Sequence, residues 1–243
     1  MKTADGFDPS IPDGICVIAF GDVHGCLDKL QALLERIEAH AAAFPQQHHI
    51  VVSLGNLIDR GPDSAGVVER LTKGVHGCEL VVLRGDHEQM LLDFAHDADA
   101  AEPWLCNGGF DTLLSYGLDL NAITDQKGGP RGLQRALLEK LPREHLGFLS
   151  ATRLSFDFGG YFFVHAGVRP GVALDDQAQH DLLSIREDFL QWRKPFGRKI
   201  VHGHTPVKVP ALNANRINLD TGACFGGPLS AILMQGTEAT LFG

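Results

Sequence analysis

The chain has 243 residues, 44% apolar and 21% charged, a size and balance that suit one hydrophobic core. Its 30 acidic against 21 basic residues give a net charge of -9, which disfavours general nucleic-acid binding. No apolar run approaches the roughly 20 residues that span a bilayer, the first twelve residues lack the pattern of an export signal, and five scattered cysteines without a CxxC pair fit neither a disulfide framework nor a structural zinc site; the expectation is a cytoplasmic protein without a membrane partner.

From Ile15 the chain repeats one unit: an apolar run, a glycine-rich polar turn, then an amphipathic helical pattern. The first run, Ile15 to Phe20, leads into Gly21-Asp22-Val23-His24-Gly25 and a helix through Leu27, Leu30, Leu33, Leu34 and Ile37. The second, Ile50 to Leu54, leads into Gly55-Asn56-Leu57-Ile58-Asp59-Arg60-Gly61 and a helix through Val67, Val68 and Leu71. The third, Leu80 to Leu83, leads into Arg84-Gly85-Asp86-His87-Glu88 and a helix through Met90, Leu91 and Phe94. Runs this continuously apolar predict strands covered on both faces and paired in parallel, with ligands at their carboxyl ends, where all three polar turns sit.

Residues 102–150 read as an inserted helical cap, with a loop around Gly128-Gly129-Pro130. Its Trp104, Phe110 and leucines are expected to form the cap's own core; the alternative places Trp104 and Arg131, with the Asn107-Gly108-Gly109 and Ser115-Tyr116-Gly117 turns, on a substrate rim. Arg153 to Phe158 and Tyr161 to His165 predict a hairpin about Gly159-Gly160, where antiparallel structure begins. Further strands are expected at 199–201, 216–219, 229–234 and 238–242, and a helix over Asp181 to Trp192.

The polar residues stranded in these turns are Asp22, His24, Asn56, Asp59, Arg60, Asp86, His87 and Glu88, joined later by His165 and His204. Carboxylate, carboxamide and imidazole donors together suit a borderline or hard divalent ion such as manganese, iron or zinc, and do not describe a structural thiolate site. The intervals between Asp22, Asn56 and Asp86 are each roughly 30 residues, the length of a βαβ unit. A single histidine in a turn is commonly just solvated; five glycine-adjacent motifs at strand ends are not explained that way.

In order, Gly-Asp-Val-His-Gly, Gly-Asn-Leu-Ile-Asp-Arg-Gly, Arg-Gly-Asp-His-Glu, His165-Ala166-Gly167 and Gly203-His204-Thr205 resemble the metallophosphoesterase motifs of the phosphoprotein phosphatase superfamily. The likeness is nearest to its bacterial and phage serine/threonine phosphatases and to the related symmetrical diadenosine tetraphosphatases, and it extends to the strand end Asn218 to Gly222. It implies an α/β (α+β) fold, a β-sandwich flanked by helices, in a single calcineurin-like metallophosphoesterase domain over residues 1–243 with the cap inserted. It implies two divalent ions, manganese first and iron or zinc as alternatives: Asp22 and His24 on one, Asn56 bridging, Asp86, His165 and His204 on the other. Phosphomonoesters, of phosphorylated proteins or small phosphoesters, would be hydrolysed by direct attack of a metal-bridging hydroxide. His87 would protonate the leaving group, Asp59 would orient it, and Arg60 and Arg186 would clamp the phosphoryl oxygens, with Arg84 as a further substrate contact or, equally, a support for its turn. His202 shares a strand face with His204, but His204 follows the motif's glycine.

The pattern departs from the family at two positions, which has Asp at 56 and Asn at 86; here they are exchanged. A neutral carboxamide is a poorer bridge than a carboxylate, and an ionised Asp86 cannot donate a hydrogen bond to phosphate. The exchange is either compensatory, or crippling and leaves a phosphate-binding relative, or it shifts metal or substrate preference. Dinucleoside polyphosphate hydrolysis is the alternative activity. Asp220-Thr221-Gly222 also spells an aspartic-protease triplet, which the βαβα opening contradicts. The cysteines read as small buried apolar side chains.

Overall fold

A computed structural model describes residues 9–119 and 128–243. The three apolar runs form strands β1 (Ile15–Phe20), β2 (His48–Ser53) and β3 (Cys78–Val82), paired in parallel with Ile18 beside Val51 and Val51 beside Leu80. Parallel pairing needs a crossover after each strand, and helices α1 (Leu27–Ala43), α2 (Ser64–Thr72) and α3 (Asp86–His96) follow them. α1 buries Leu30, Leu33, Leu34 and Ile37, the spacing of one helical face.

After α3 come the short helices α4 (Ala101–Trp104) and α5 (Phe110–Ser115), joined through a π-helical turn at Leu105–Gly109, then α6 (Gly129–Lys140) and α7 (Arg143–Ser150). Gly129 and Pro130, expected in a loop, open α6 instead, because proline in a first helical turn gives up no hydrogen bond. Phe110, expected in the core, is 42% exposed, whereas Trp104 is fully buried and stacks on Phe94.

The second sheet contains β4 (Ser155–Phe158), β5 (Tyr161–Val164), β6 (Lys199–His202), β7 (Ala211–Leu212) and β8 (Arg216–Asn218) in the order β4-β5-β6-β8-β7. β4 and β5 make the hairpin at Gly159-Gly160, and antiparallel pairing recurs beyond it between β7 and β8 and in the last two strands of the chain, but β5, β6 and β8 pair in parallel. The connection from β5 to β6 is a helical crossover and imposes that direction. It holds two helices, α8 (Gln179–Ser184) and α9 (Glu187–Leu190), where one was expected; Ile185 (ψ 141°) and Arg186 (φ -128°, ψ -95°) leave helical geometry between them. The break lets Leu182, Ile185 and Phe189 all pack on the outer face of the second sheet, against Phe162, Val164 and Ile200.

The hairpin of β9 (Ala231–Gln235) and β10 (Glu238–Leu241) returns to the first sheet, whose order is β10-β9-β1-β2-β3. Between the sheets, Val17, Ala19, Ile50 and Val52 meet Tyr161, Phe163, Val201 and Ile217. On the other face of the first sheet, Ile18, Phe20 and Val51 pack with the residues of α1, α2 and the helices that follow α3. Both faces of β1 and β2 are thus buried, the physical reason these strands read as unbroken apolar runs.

Candidate active site

The turns leaving β1, β2, β3, β5 and β6 converge at one edge of the two sheets. The second and third turns touch main chain to main chain: a Cβ on Gly55, whose φ is +94°, would stand 2.6 Å from the Gly85 nitrogen. Glu88, fully buried in the first turn of α3, ties them together by accepting the Gly85, Asn56 and Leu57 N–H groups, each at 2.8 Å. Burial raises the pKa of this carboxyl, and the N–H bonds oppose that shift. Among the described residues, the non-glycine positions with positive φ are His24, Asn56, Asp59, Arg60 and His204, every one of them in these turns.

One group of side chains is built around His87. The ring is 1% exposed, its Nδ1 lies 2.7 Å from Asp59 Oδ2, and its Nε2 is buried without a hydrogen-bond partner among the described residues. Asp59 is held in turn by Trp104 Nε1 at 3.0 Å and the Thr112 hydroxyl at 2.5 Å, both from the helices that follow α3. A carboxylate fixed this way places the proton on Nδ1 and leaves Nε2 for exchange with a substrate. Gly108 completes the contact: its φ is +109°, its carbonyl accepts the Arg60 N–H at 3.3 Å, and a Cβ there would press on Arg60 Cγ at 2.8 Å.

A second group is Asp86, His165 and His204, whose ligand atoms lie within 4.8 Å of one another. Asp86 Oδ1 is 3.0 Å from His165 Nε2 and 3.4 Å from His204 Nδ1. Burial works against the Asp86 carboxylate, but the bonds to His165 and His204 outweigh it and hold its pKa well below the carboxylate range. Burial likewise pushes His165 down, yet the Asp86 bond and the charge of Asp22 carry it up to about 9.

A third group is Asp22, His24 and Asn56. Asn56 Nδ2 donates to Asp22 Oδ2 at 3.0 Å while its Oδ1 accepts the His87 N–H at 3.2 Å, so the two bonds fix the amide with its nitrogen toward Asp22. Burial and the neighbouring Asp220 carboxyl raise the Asp22 pKa. Burial, followed by His87 and Arg60, lowers that of His24, which keeps its imidazole neutral. His24 Nδ1 faces the Ile58 carbonyl and His165 Nδ1 the Leu54 carbonyl, each at 2.8 Å, which turns both Nε2 atoms into the site, the orientation of metal-binding imidazoles; there His24 Nε2 meets Arg60 NH1 and His165 Nε2 meets Asp86 Oδ1, each at 3.0 Å. The donor chemistry of the second group fits a divalent ion directly; in the third, the Asn56 amide presents an N–H where a bridge would present oxygen.

The arginines divide. Arg60 lies against this site, with its NH1 group 3.0 Å from His24 Nε2 and its guanidinium over the Phe225 ring. Arg186 reaches Thr205 Oγ1 at 3.4 Å, and its charge is felt by both His204 and Asp220. Arg84 turns the other way: its three nitrogens bond Thr152, Gln89 and the Ser150 carbonyl, so its donors are spent supporting the turn and are not offered to a substrate. His202 is buried against Phe189, and burial takes its pKa down to about 3. The cap residues Trp104 and Thr112 were missed as partners of Asp59, since nothing in their spacing distinguishes them from core; the capping position of Glu88, three residues after Gly85, was the available signal for its role.

The model of the family described as calcineurin-like phosphoesterase matches residues 16–228. Serine/threonine-protein phosphatase 1 of Salmonella typhimurium is 30% identical over 88% of this chain and 90% of its own. The asymmetrical bis(5'-nucleosyl)-tetraphosphatase PrpE of Bacillus thuringiensis is 27% identical over 87% of each. In fold, a crystal structure provisionally described as a diadenosine tetraphosphatase superposes with a TM-score of 0.67 at 21% identity, over 97% of this chain and 98% of that one. With five motif turns gathered at one sheet edge and a family match over most of its length, the chain belongs to the calcineurin-like phosphoesterases.

Proposed function

We propose that this protein hydrolyses phosphomonoesters, phosphoserine and phosphothreonine in proteins above all, with two divalent ions held by Asp22, His24, Asn56, Asp86, His165 and His204, manganese being preferred. The observation that carries this reading is His87, gripped at Nδ1 by Asp59 and left open at Nε2, with its ring 4.6 Å from that of His24. Bound divalent ions supply Lewis acidity, which acidifies water and offsets phosphoryl charge.

The chain's own residues do the rest. Arg60 and Arg186 bind the phosphoryl oxygens through planar guanidinium donors. Water is the nucleophile: the Cys26 thiol faces the His24 carbonyl, and burial raises its pKa, so no thiolate stands here. His87 Nε2 delivers a proton to the leaving alkoxide, while Asp59 keeps the ring in register and Trp104 and Thr112 keep Asp59 in place. Asp86 carries the charge that the family's pattern assigns to position 56, which makes the exchange compensatory in total charge. The Salmonella relative supports the protein-phosphatase reading. Dinucleoside tetraphosphate hydrolysis is the second reading, favoured by the PrpE relatives.

The test is manganese-dependent hydrolysis of p-nitrophenyl phosphate by metal-stripped protein, beside the double reversion Asn56→Asp with Asp86→Asn. Comparable rates are expected, with a phosphothreonine peptide turned over faster than diadenosine tetraphosphate. Activity in the reverted protein alone would make the natural chain a phosphate binder. Silence from both toward phosphomonoesters, with cleavage of the dinucleotide, would establish the second reading.

A further inference from the structure

A separate cluster of metal-ligand side chains stands at the opposite end of the first sheet, where the phosphoesterase chemistry makes no use of it. Cys16, the second residue of β1, is the cross-strand partner of His49, the second residue of β2. His40, in the last turn of α1, closes over them. The ligand atoms these three residues offer lie within 4.8 Å of one another; Cys16 Sγ is 3.9 Å from His40 Nε2, and the His40 and His49 rings meet edge to face at 5.6 Å. Cys16 and His49 are buried and His40 is half-buried.

His49 is already arranged as a ligand. Its Nε2 lies 3.0 Å from the Phe44 carbonyl oxygen, so that nitrogen carries the proton and donates it. Nδ1 then bears the lone pair, and it is buried with no hydrogen-bond partner among the described residues. A ring nitrogen left bare inside the protein, with its opposite nitrogen locked on a main-chain carbonyl, is what ion-binding imidazoles show. The spacing also suits an ion: ligands at ~2.3 Å for sulfur and ~2.0 Å for nitrogen, set at a tetrahedral angle, stand about 3.5 Å apart, a few tenths of an ångström inside the 3.9 Å from Cys16 Sγ to His40 Nε2.

We propose that Cys16, His40 and His49 form a binding site for one thiophilic divalent ion, zinc in the first place, with solvent at the fourth position beside half-exposed His40. One thiolate and two imidazoles select such an ion against magnesium and manganese, which take oxygen donors. Burial pushes the Cys16 thiol up to about 11, so it is a thiol until the ion arrives; binding forms the sulfur–metal bond and releases the thiol proton to solvent. The ion pins the last turn of α1 to the strands, roughly 20 Å along β1 from Asp22. The cluster escapes sequence inspection because its ligands come from a strand, a helix and the next strand, without a short Cys/His spacing.

The test loads the full chain with manganese and then titrates it with cobalt(II), whose bond to a thiolate gives a near-ultraviolet charge-transfer band that oxygen and nitrogen ligands do not give. One equivalent is expected to produce the band, zinc to abolish it, Cys16→Ala to remove it, and His40→Gln to weaken cobalt binding about tenfold or more while phosphatase activity is unchanged. Cys26, Cys78, Cys106 and Cys224 remain in both variants as internal controls. Absence of the band, its survival in Cys16→Ala, or undiminished cobalt affinity in His40→Gln would overturn the proposal. His40→Gln replaces a half-buried residue and decides the matter even if Cys16→Ala does not fold.

Discussion

Asp22 and Asp86 occupy corresponding turns, after β1 and after β3, under opposite electrostatics. Asp86 lies between two imidazoles that more than offset the cost of its burial, whereas Asp22 faces the neutral Asn56 amide and feels the Asp220 carboxyl. One half of the site therefore carries its own counter-charge and is ordered by the chain itself. In the other half, the His204 N–H, the Asn56 amide and the more distant charge of His165 do not offset burial and Asp220, so a bound cation would add the compensation that Asp22 lacks. In the proposed two-ion site, exchanging Asn and Asp between positions 56 and 86 conserves total charge and moves it from the middle of the site to one side, so the two ions are expected to bind unequally.

The strongest probe leaves both halves intact. His87→Asn removes the proposed proton donor, and kcat toward p-nitrophenyl phosphate is expected to fall by roughly 10²- to 10⁴-fold with manganese binding retained; a loss of only a few-fold would show that the proton comes from elsewhere. The asymmetry itself is tested by Asn56→Asp alone. Restoring charge beside Asp22 is expected to tighten the weaker manganese site about tenfold, or ~1.4 kcal/mol, in a calorimetric titration. The same change lowers the melting temperature of the metal-free protein, because like charges then crowd a buried space. Equal affinities in the natural chain would end the comparison. A smaller effect, about tenfold in kcat with KM unchanged, is expected from Trp104→Phe, which keeps the stack on Phe94 and deletes the N–H to Asp59.

The motif turns were legible because each combines a buried strand, whose apolar run is continuous, with a glycine that admits close approach; Asp22, Asn56 and Asp86 stand at such junctions. Local pattern could not give direction. Arg84 follows β3 as Arg60 follows β2, yet one points to the helices after α3 and the other to His24. Trp104 looks like any core aromatic until its indole nitrogen is seen on Asp59, 45 residues away in sequence. The break at Ile185 and Arg186 depends on the outer face of the second sheet, a surface that no window around those residues contains. β7 is two residues long and has no periodicity to detect.

His24, Asn56, Asp59, Arg60 and His204 hold a left-handed backbone that glycine adopts at no steric cost. Each of the others costs something there, least for Asn and Asp and up to about 1–3 kcal/mol for the rest. A chain shaped for durability alone would have surrendered these five side chains first. Attempts to make this protein hardier by relaxing its backbone should therefore find their easiest gains in the middle of the proposed active site, where each gain would remove a side chain assigned a role in it.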